Sequence, residues 1–479
     1  MMRRSLALLL SLALAFPAHA VDLPDLGDVG TSDLSPAEER RIGEEIIREI
    51  RWKDAAYLDD PEVEEYVNRL GKRLAAVSND PLQSFDFFVV KDATLNAFAL
   101  PGGYIGVHSG LILASESESE LASVLGHEIA HVTQRHIAQI VGKQSQAGIL
   151  MLASLLVAVL AARSSSDASM AAVAAGQAGA IQSQLGYSRD FEREADRAGL
   201  QTLEAAGFDV RGMPSFFERL QRSSRLYENN APAYLRSHPL TTERIADMEN
   251  RAASLRYRQV PDSADFRYVR AKLRSQTAQP AEALKTFEDL LARTPKDEAV
   301  RYGLIRTQMR AGRLDDAEAG LKALRSSTEP SVFIETLAAE LSMARRDAGA
   351  AVRTLDAAVR RFPASQSLRY ALADAQIIAG RAADAVAGVR QGLQTRGEDI
   401  RLWQLLSRAN AQLGKLTARH RAQAEVYTLQ GSYPAAVEQL ELARKAGDGD
   451  FYDLSAVDAR LRELKIRVRD ERRERGLER

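Results

Sequence analysis

The sequence predicts a mainly α chain in two parts, a helical N-terminal domain with a small β-sheet and then a stacked array of helical repeats. Three observations predict it. The 479 residues are rich in Ala, Leu, Arg and Glu and only 6% aromatic, a composition that favours helix. Residues 85–90 and 104–108 switch to aromatic and β-branched side chains, as strands do. From about residue 262 three residue series recur every 34 positions. They are Gly312, Arg346, Gly380 and Gly414; then Ala283, Ala317, Ala351 and Ala385; then Phe287, Leu321, Leu355 and Val389. Thirty-four is the tetratricopeptide period, with small residues where paired helices cross closely.

The length exceeds what one core supports, so two or three domains are expected. The 64 basic and 65 acidic side chains leave a net charge of −1, without the basic surplus of a nucleic-acid binder. No cysteine is present, so neither disulfides nor thiol ligands contribute.

In chain order, residues 1–20 read as an export signal. Arg3 and Arg4 precede an apolar stretch over 6–16, and Ala18-His19-Ala20 forms the cleavage site. About eleven apolar residues are too few to span a bilayer. The mature chain is expected to start at Val21, in the periplasm. Residues 21–33 form a loose lead-in. Ser35-Pro36-Ala37-Glu38 combines an N-cap, a first-turn proline and a capping-box glutamate, so a helix starts there. A second helix is expected over 61–76. The strands follow, separated by the turn Pro101-Gly102-Gly103. Ser117 with Glu120 opens the next helix as a capping box. Leu121, Val124, Leu125, Ile129 and Val132 mark one apolar stripe on it, predicting an amphipathic helix. Residues 148–162 are the most apolar run after the signal. As helix they reach about 22 Å, short of the roughly 30 Å of hydrocarbon. A helix covering the active-site side or touching a membrane surface is preferred there, with a buried core helix as the alternative. Residues 427–442 look like a further repeat, and the tail from Arg460 is charged and helical.

The chemistry lies in Gly126-His127-Glu128-Ile129-Ala130-His131. Two histidines four apart stand about 40° apart on a helix, so both imidazoles reach one ion. Neutral imidazole suits Zn2+, and Glu128 beside the first ligand can take a proton from a water the metal acidifies. A catalytic zinc needs a third protein ligand. On a continuous helix His136 would lie about 180° from His127, so it is expected to be a surface or core-edge residue. Glu192, one turn from Asp196 on the same face, is the better candidate. One carboxylate would bind the ion while the other orients the site, the alternative being a solvated acidic face.

These segments resemble a known family. HEIAH, EREAD and the run from Asn96 to Gly103 are similar to the membrane-associated zinc peptidases that include the HtpX and CAAX-prenyl proteases. With the export signal and repeats added, the chain resembles the periplasmic β-barrel assembly-enhancing proteases. The resemblance implies one Zn2+ per chain held by His127, His131 and Glu192, with Glu128 as general base and Asp196 as a catalytic or orienting carboxylate. It implies that the strand after Pro101-Gly102-Gly103 is an edge that binds extended substrate. It also places His238, in Ser237-His238-Pro239, over the metal, where it would fill the open position in a resting state. Arg244 is a candidate oxyanion stabiliser.

The fold class is therefore a zincin-like metallopeptidase domain followed by an α-solenoid of tetratricopeptide repeats. The expected organisation is signal 1–20, peptidase 21–258, repeats 259–455 and charged tail 456–479. A cut at about 260 should then spare the peptidase chemistry. The expected function is a zinc endopeptidase that degrades misassembled outer-membrane β-barrel proteins and promotes their assembly. Its partners would be unfolded outer-membrane proteins and the barrel assembly machinery, with peripheral membrane contact through 148–162 and no nucleic acid. The second reading is a repeat-based chaperone, or holdase, with a latent protease site.

Overall fold

The structure, a computed structural model, describes residues 34–141, 188–225 and 233–474. The expected signal and the apolar run 148–162 lie outside these residues. Among the described residues no helix is long and apolar enough to cross a membrane.

Two helices lead in, α1 (Pro36–Lys53) and α2 (Pro61–Ala75). The capping box predicted for α1 is complete: Ser35 accepts from the Glu38 N–H, and the Glu38 carboxylate accepts from the Ser35 N–H at 3.0 Å. Next come β1 (Asp86–Val90), β2 (Ala97–Leu100), the turn Pro101–Gly103 and β3 (Tyr104–His108). The sheet order is β1-β3-β2, with β3 parallel to β1 and antiparallel to β2. This corrects one expectation. The strand after the Pro-Gly-Gly turn is the central one, and among the described residues the preceding strand β2 is an edge, paired with β3 alone. The tight turn folds β2 back on β3 while the longer connection places β1 on the opposite side.

After α3 (Ser109–Ala114) comes the motif helix α4 (Glu118–Thr133). Ser117 caps it by accepting from Glu120 N–H, but the Glu120 carboxylate reaches the N–H of Glu116 rather than that of Ser117. The amphipathic reading is also corrected: every residue from Glu118 to His131 is buried. The apolar stripe faces the core, and the polar residues are covered by α2, α6 (Arg189–Ala205) and α7 (Gly212–Arg225), with Ser263 reaching Glu118. Glu118 accepts from Tyr66 Oη at 3.0 Å, and Glu120 pairs with Arg219. Between α4 and α6 stands α5 (His136–Val141), and after α7 come α8 (Ala233–Ser237) and α9 (Thr242–Ser254).

Helical pairs then follow: α10 (Ala264–Thr277) with α11 (Pro280–Arg293), α12 (Glu298–Arg310) with α13 (Leu314–Ser327), and α14 (Val332–Ala344) with α15 (Ala348–Arg361). The stack continues through α16 (Gln366–Ile378), α17 (Ala382–Thr395), α18 (Ile400–Gln412), α19 (Leu416–Leu429), α20 (Tyr433–Lys445) and α21 (Phe451–Glu474). The alanine and large-apolar series are buried throughout. The glycine series marks the turns, where Gly312, Gly380 and Gly414 have φ of 74°, 77° and 68°. Arg346 fills the same slot at φ 63°. A side chain there costs about 1 kcal/mol. Arg346→Gly is therefore expected to raise the stability of the array by about 0.5–1 kcal/mol, seen as a higher urea midpoint; a lowered midpoint would contradict it. The charged tail is not simply solvated. Val457, Leu461 and Leu464 on α21 pack onto Ala424, Ala436, Leu440 and Ala443 and close the apolar end of the stack.

One apolar core runs from α2 and the sheet through α10 to α14. Phe266 and Val269 of α10 are fully buried in it, and the Phe266 ring lies 6.5 Å from that of Tyr66. A cut at about 260 thus exposes core rather than freeing a finished domain. Further along the array, Glu65 of α2 accepts from the backbone N–H groups of Gln366 and Ser367 at the start of α16, and Arg401 of α18 pairs with Asp59. The repeats so curl around the start of α2, leaving a cleft of about 650 Å³ edged by Trp52 and Glu62 on one side and Arg306, Tyr370 and Arg401 on the other. The array docks at the first turn of α4, where the Ser263 hydroxyl donates to Glu118 at 2.7 Å. The histidines lie about 14–20 Å further along that helix at 1.5 Å per residue.

Candidate metal centre

The site starts from a close helix crossing. A Cβ on Gly126 would come within 3.1 Å of Gly199 O, and one on Gly199 within 3.0 Å of the His127 backbone N. Hydrogen alone at both positions lets α4 and α6 touch backbone to backbone. Glu192 and Asp196, about two turns and one turn before Gly199, thereby reach the histidines on α4.

His127, His131, Glu192 and His238 present one donor atom each, and these atoms lie within 4.8 Å of one another. All four residues are buried. His127 Nε2 is 3.0 Å from His131 Nε2 and 3.3 Å from His238 Nδ1. Glu192 Oε1 lies 3.4 Å from His131 Nε2 and 2.9 Å from His238 Nδ1. Glu128 is completely buried and faces His238 Nε2 at 3.5 Å. Burial pushes its carboxyl above the ordinary range, although His238, His127 and the backbone of Ala99 on β2 pull the other way. The edge strand therefore runs beside the candidate base.

The remaining residues orient these. Asp196 Oδ1 lies 3.0 Å from His127 Nδ1, the ring nitrogen turned away from the cluster. Burial lowers the pKa of His127, but Asp196 and Glu192 outweigh it and hold the imidazole at about 10. Arg244 donates to both Asp196 oxygens at 2.7 and 2.8 Å, to Pro239 O at 2.8 Å, and pairs with Glu192 Oε2 at 2.7 Å. Its guanidinium is thus committed to two carboxylates and the His238 loop. Turning to an oxyanion would strip the charge from Asp196, so the structure does not support that expectation.

His136 is also placed differently. The α4 helix stops at Thr133, and Arg135 takes a left-handed turn at φ 54°, so the 180° offset never applies. His136 is fully buried, with Nδ1 2.9 Å from His131 Nδ1. Sequence reasoning missed this because the helix break has no glycine or proline to announce it. It also missed Tyr234, whose buried ring stacks on His238 at 4.6 Å, and the Gly126–Gly199 crossing.

A two-histidine helix, a facing carboxylate helix and an adjacent buried glutamate define a metallopeptidase, here carrying a tetratricopeptide array. The sequence profile of Peptidase family M48 matches residues 61–252, and that of the Tetratricopeptide repeat matches 276–331 and 342–409. The chain is 33% identical to the beta-barrel assembly-enhancing protease of Escherichia coli (strain K12), over 94% of this chain and 93% of that one. It is 34% identical to the putative beta-barrel assembly-enhancing protease of Vibrio cholerae, over 97% of each. The mitochondrial metalloendopeptidase OMA1 of Arabidopsis thaliana is 32% identical over 45% of this chain. The chain belongs to peptidase family M48 and, within it, to the family of the β-barrel assembly-enhancing proteases.

Proposed function

We propose that this chain is a periplasmic zinc endopeptidase that cleaves misassembled outer-membrane β-barrel proteins and supports their assembly. The observation that carries the chemistry is the convergence of His127, His131, Glu192 and Glu128 in a buried pocket beside an edge strand. The donor set fits the ion. Two or three imidazoles and one carboxylate are zinc's preferred ligands, and bonds of about 2.0–2.1 Å in a tetrahedron imply donor separations of roughly 3.3 Å. Neighbouring donor atoms here, His127 Nε2 and Glu192 Oε2 included, stand 2.9 to 3.5 Å apart.

His127, His131 and Glu192 would hold the ion. Bound there, zinc supplies a Lewis acid that acidifies water and polarises a carbonyl. Asp196 orients His127 through Nδ1, and Arg244 holds Asp196 and Glu192 in place. The β2 edge offers backbone groups to an extended substrate, which suits unfolded barrel strands because recognition rests on main chain more than on side chains. Glu128 takes the proton from the attacking water on its carboxylate and delivers it to the leaving amine, so no covalent enzyme intermediate forms. The purified full chain should cleave an unfolded outer-membrane barrel protein. A zinc chelator should stop it and added zinc restore it; cleavage that persists after zinc is stripped to below stoichiometry would rule the reading out.

His238 sits between Glu192 and Glu128, where both the open coordination position and the attacking water would be. It acts as a resting latch, and the Arg244 bond to Pro239 O ties the loop to the carboxylates it blocks. If the open state is a minor population, removing the latch raises the rate by the inverse of that fraction. Cleavage by a His238→Ala variant should rise by about threefold or more; an unchanged or reduced rate would remove the latch. Partners in this reading are the barrel assembly machinery and its stalled substrates, recruited through the cleft between the repeats and α2. That assignment is supported by the names of the relatives and by the docked array.

A further inference from the structure

His136 takes no part in the mechanism above, yet it is among the most completely enclosed polar side chains of the site. His131 turns Nε2 toward the ligand cluster, which leaves Nδ1 facing outward. That nitrogen lies 2.9 Å from His136 Nδ1. Two imidazole nitrogens at this distance need one proton between them, one ring donating and the other accepting. A ligating imidazole with its lone pair on Nε2 carries its proton on Nδ1, so the donor is His131 and the acceptor is His136. The proton of His136 is then on Nε2, which faces Glu194 Oε2 at 3.4 Å.

The surroundings hold the ring in that pose. It stacks on Phe191 with centroids 4.3 Å apart and planes 15° apart. Phe191 and Glu194 belong to α6, the helix that supplies Glu192 and Asp196. On the other side, Arg135 adopts its left-handed turn while its side chain binds Glu39 Oε1 on the first helix and Leu34 O just before its cap. A strained non-glycine turn of this kind costs about 1–3 kcal/mol, and here it swings His136 back beneath His131. Each imidazole of the motif thus has its own outer partner, Asp196 for His127 and His136 for His131.

We infer that His136 is a positioning residue that fixes the tautomer and orientation of His131 by accepting its Nδ1–H, with Glu194 orienting His136 in turn. This rests on the reading of His131 as a metal ligand.

The test uses the full chain and measures zinc affinity by competition with a chromogenic chelator, beside the melting of the metal-stripped protein. His136→Phe keeps a ring to stack on Phe191 but cannot accept a proton. It should melt like wild type yet bind zinc about 10–100-fold more weakly, the range that outer partners of metal ligands command. His136→Asn places an amide oxygen near the position of Nδ1 and should stay within about threefold of wild type. A Phe variant with wild-type affinity overturns the inference. If the Phe variant folds poorly, the Asn variant decides: near-wild-type affinity upholds the relay, and a loss as large as that of Phe overturns it. Wild-type protein that fails to hold one zinc per chain would sink the metal-centre reading itself. Wild type that binds zinc beside an unaffected Phe variant sinks only the relay.

Discussion

Replacing Glu128 by Gln is expected to lower peptide-bond cleavage by about 10²–10⁴-fold, the usual contribution of a positioned general base. The side chain keeps its volume, so the fold has no reason to change. What is lost is a carboxylate that can accept a proton, in a place where burial has already raised its proton affinity. Zinc content and melting temperature should match wild type, because Glu128 is not among the converging donor atoms. The check is kcat on an unfolded barrel substrate beside metal analysis of the same sample. A variant keeping more than about a tenth of wild-type kcat would exclude Glu128 as the base. The same variant separates the two functional readings in cells. Restored barrel assembly without cleavage would make the repeat array an assembly factor in its own right.

The second large effect concerns stability. Lys272 of α10 is almost wholly buried and donates to Asp60 at 2.8 Å and to Glu62, both at the start of α2. Asp60 also caps α2 by accepting from the N–H groups of Glu62 and Val63 at 3.1 and 3.3 Å. Lys272→Met removes one cation and leaves the buried Glu62 and the partly buried Asp60 carboxylates without it. Breaking a buried pair in this way costs about 3–5 kcal/mol. The penalty should depend on pH with a definite sign. Burial carries the Glu62 carboxyl up to about 7 even beside Lys272, whereas for Asp60 the lysine outweighs burial and holds the group below its ordinary range. In wild type Glu62 therefore already binds more protons folded than unfolded between about pH 4.5 and 7, and removing the lysine that lowers it extends that excess to higher pH. The variant therefore loses stability relative to wild type as pH rises above about 7. Urea midpoints at pH 5 and pH 8 measure it. A variant within about 1 kcal/mol of wild type at pH 8 would show that the clasp contributes little. Adding Glu62→Leu should recover part of the loss, since a buried carboxylate is costly only when it lacks its partner.

Much of the fold and site was legible in the sequence because it is written locally. The 34-residue series is readable from residue size alone, and it puts Arg346 in a glycine slot, as its φ of 63° bears out. The motif histidines follow from the pitch of a helix, and Glu192 with Asp196 from the same pitch on a second helix. Ser35 and Ser117 cap the helices they were expected to cap, since a cap involves only four consecutive residues.

What only the tertiary structure decided depends on which surfaces meet. A strand pattern cannot say whether its hydrogen bonds are taken on one side or both; the resemblance implies an edge after the Pro-Gly-Gly turn, whereas β3 is the centre. The apolar stripe on α4 correctly marked one buried face. The burial of its opposite face comes from α2, α6 and α7, which lie far away in sequence. Arg244, a candidate oxyanion stabiliser by sequence, is held in the structure by two carboxylates. His136 read as a remote histidine on a continuing helix until a single left-handed residue, held by contacts about a hundred positions away, turned it under His131. Periodicity and spacing determine what a segment can form on its own. Long-range packing determines which of its groups remain available for chemistry.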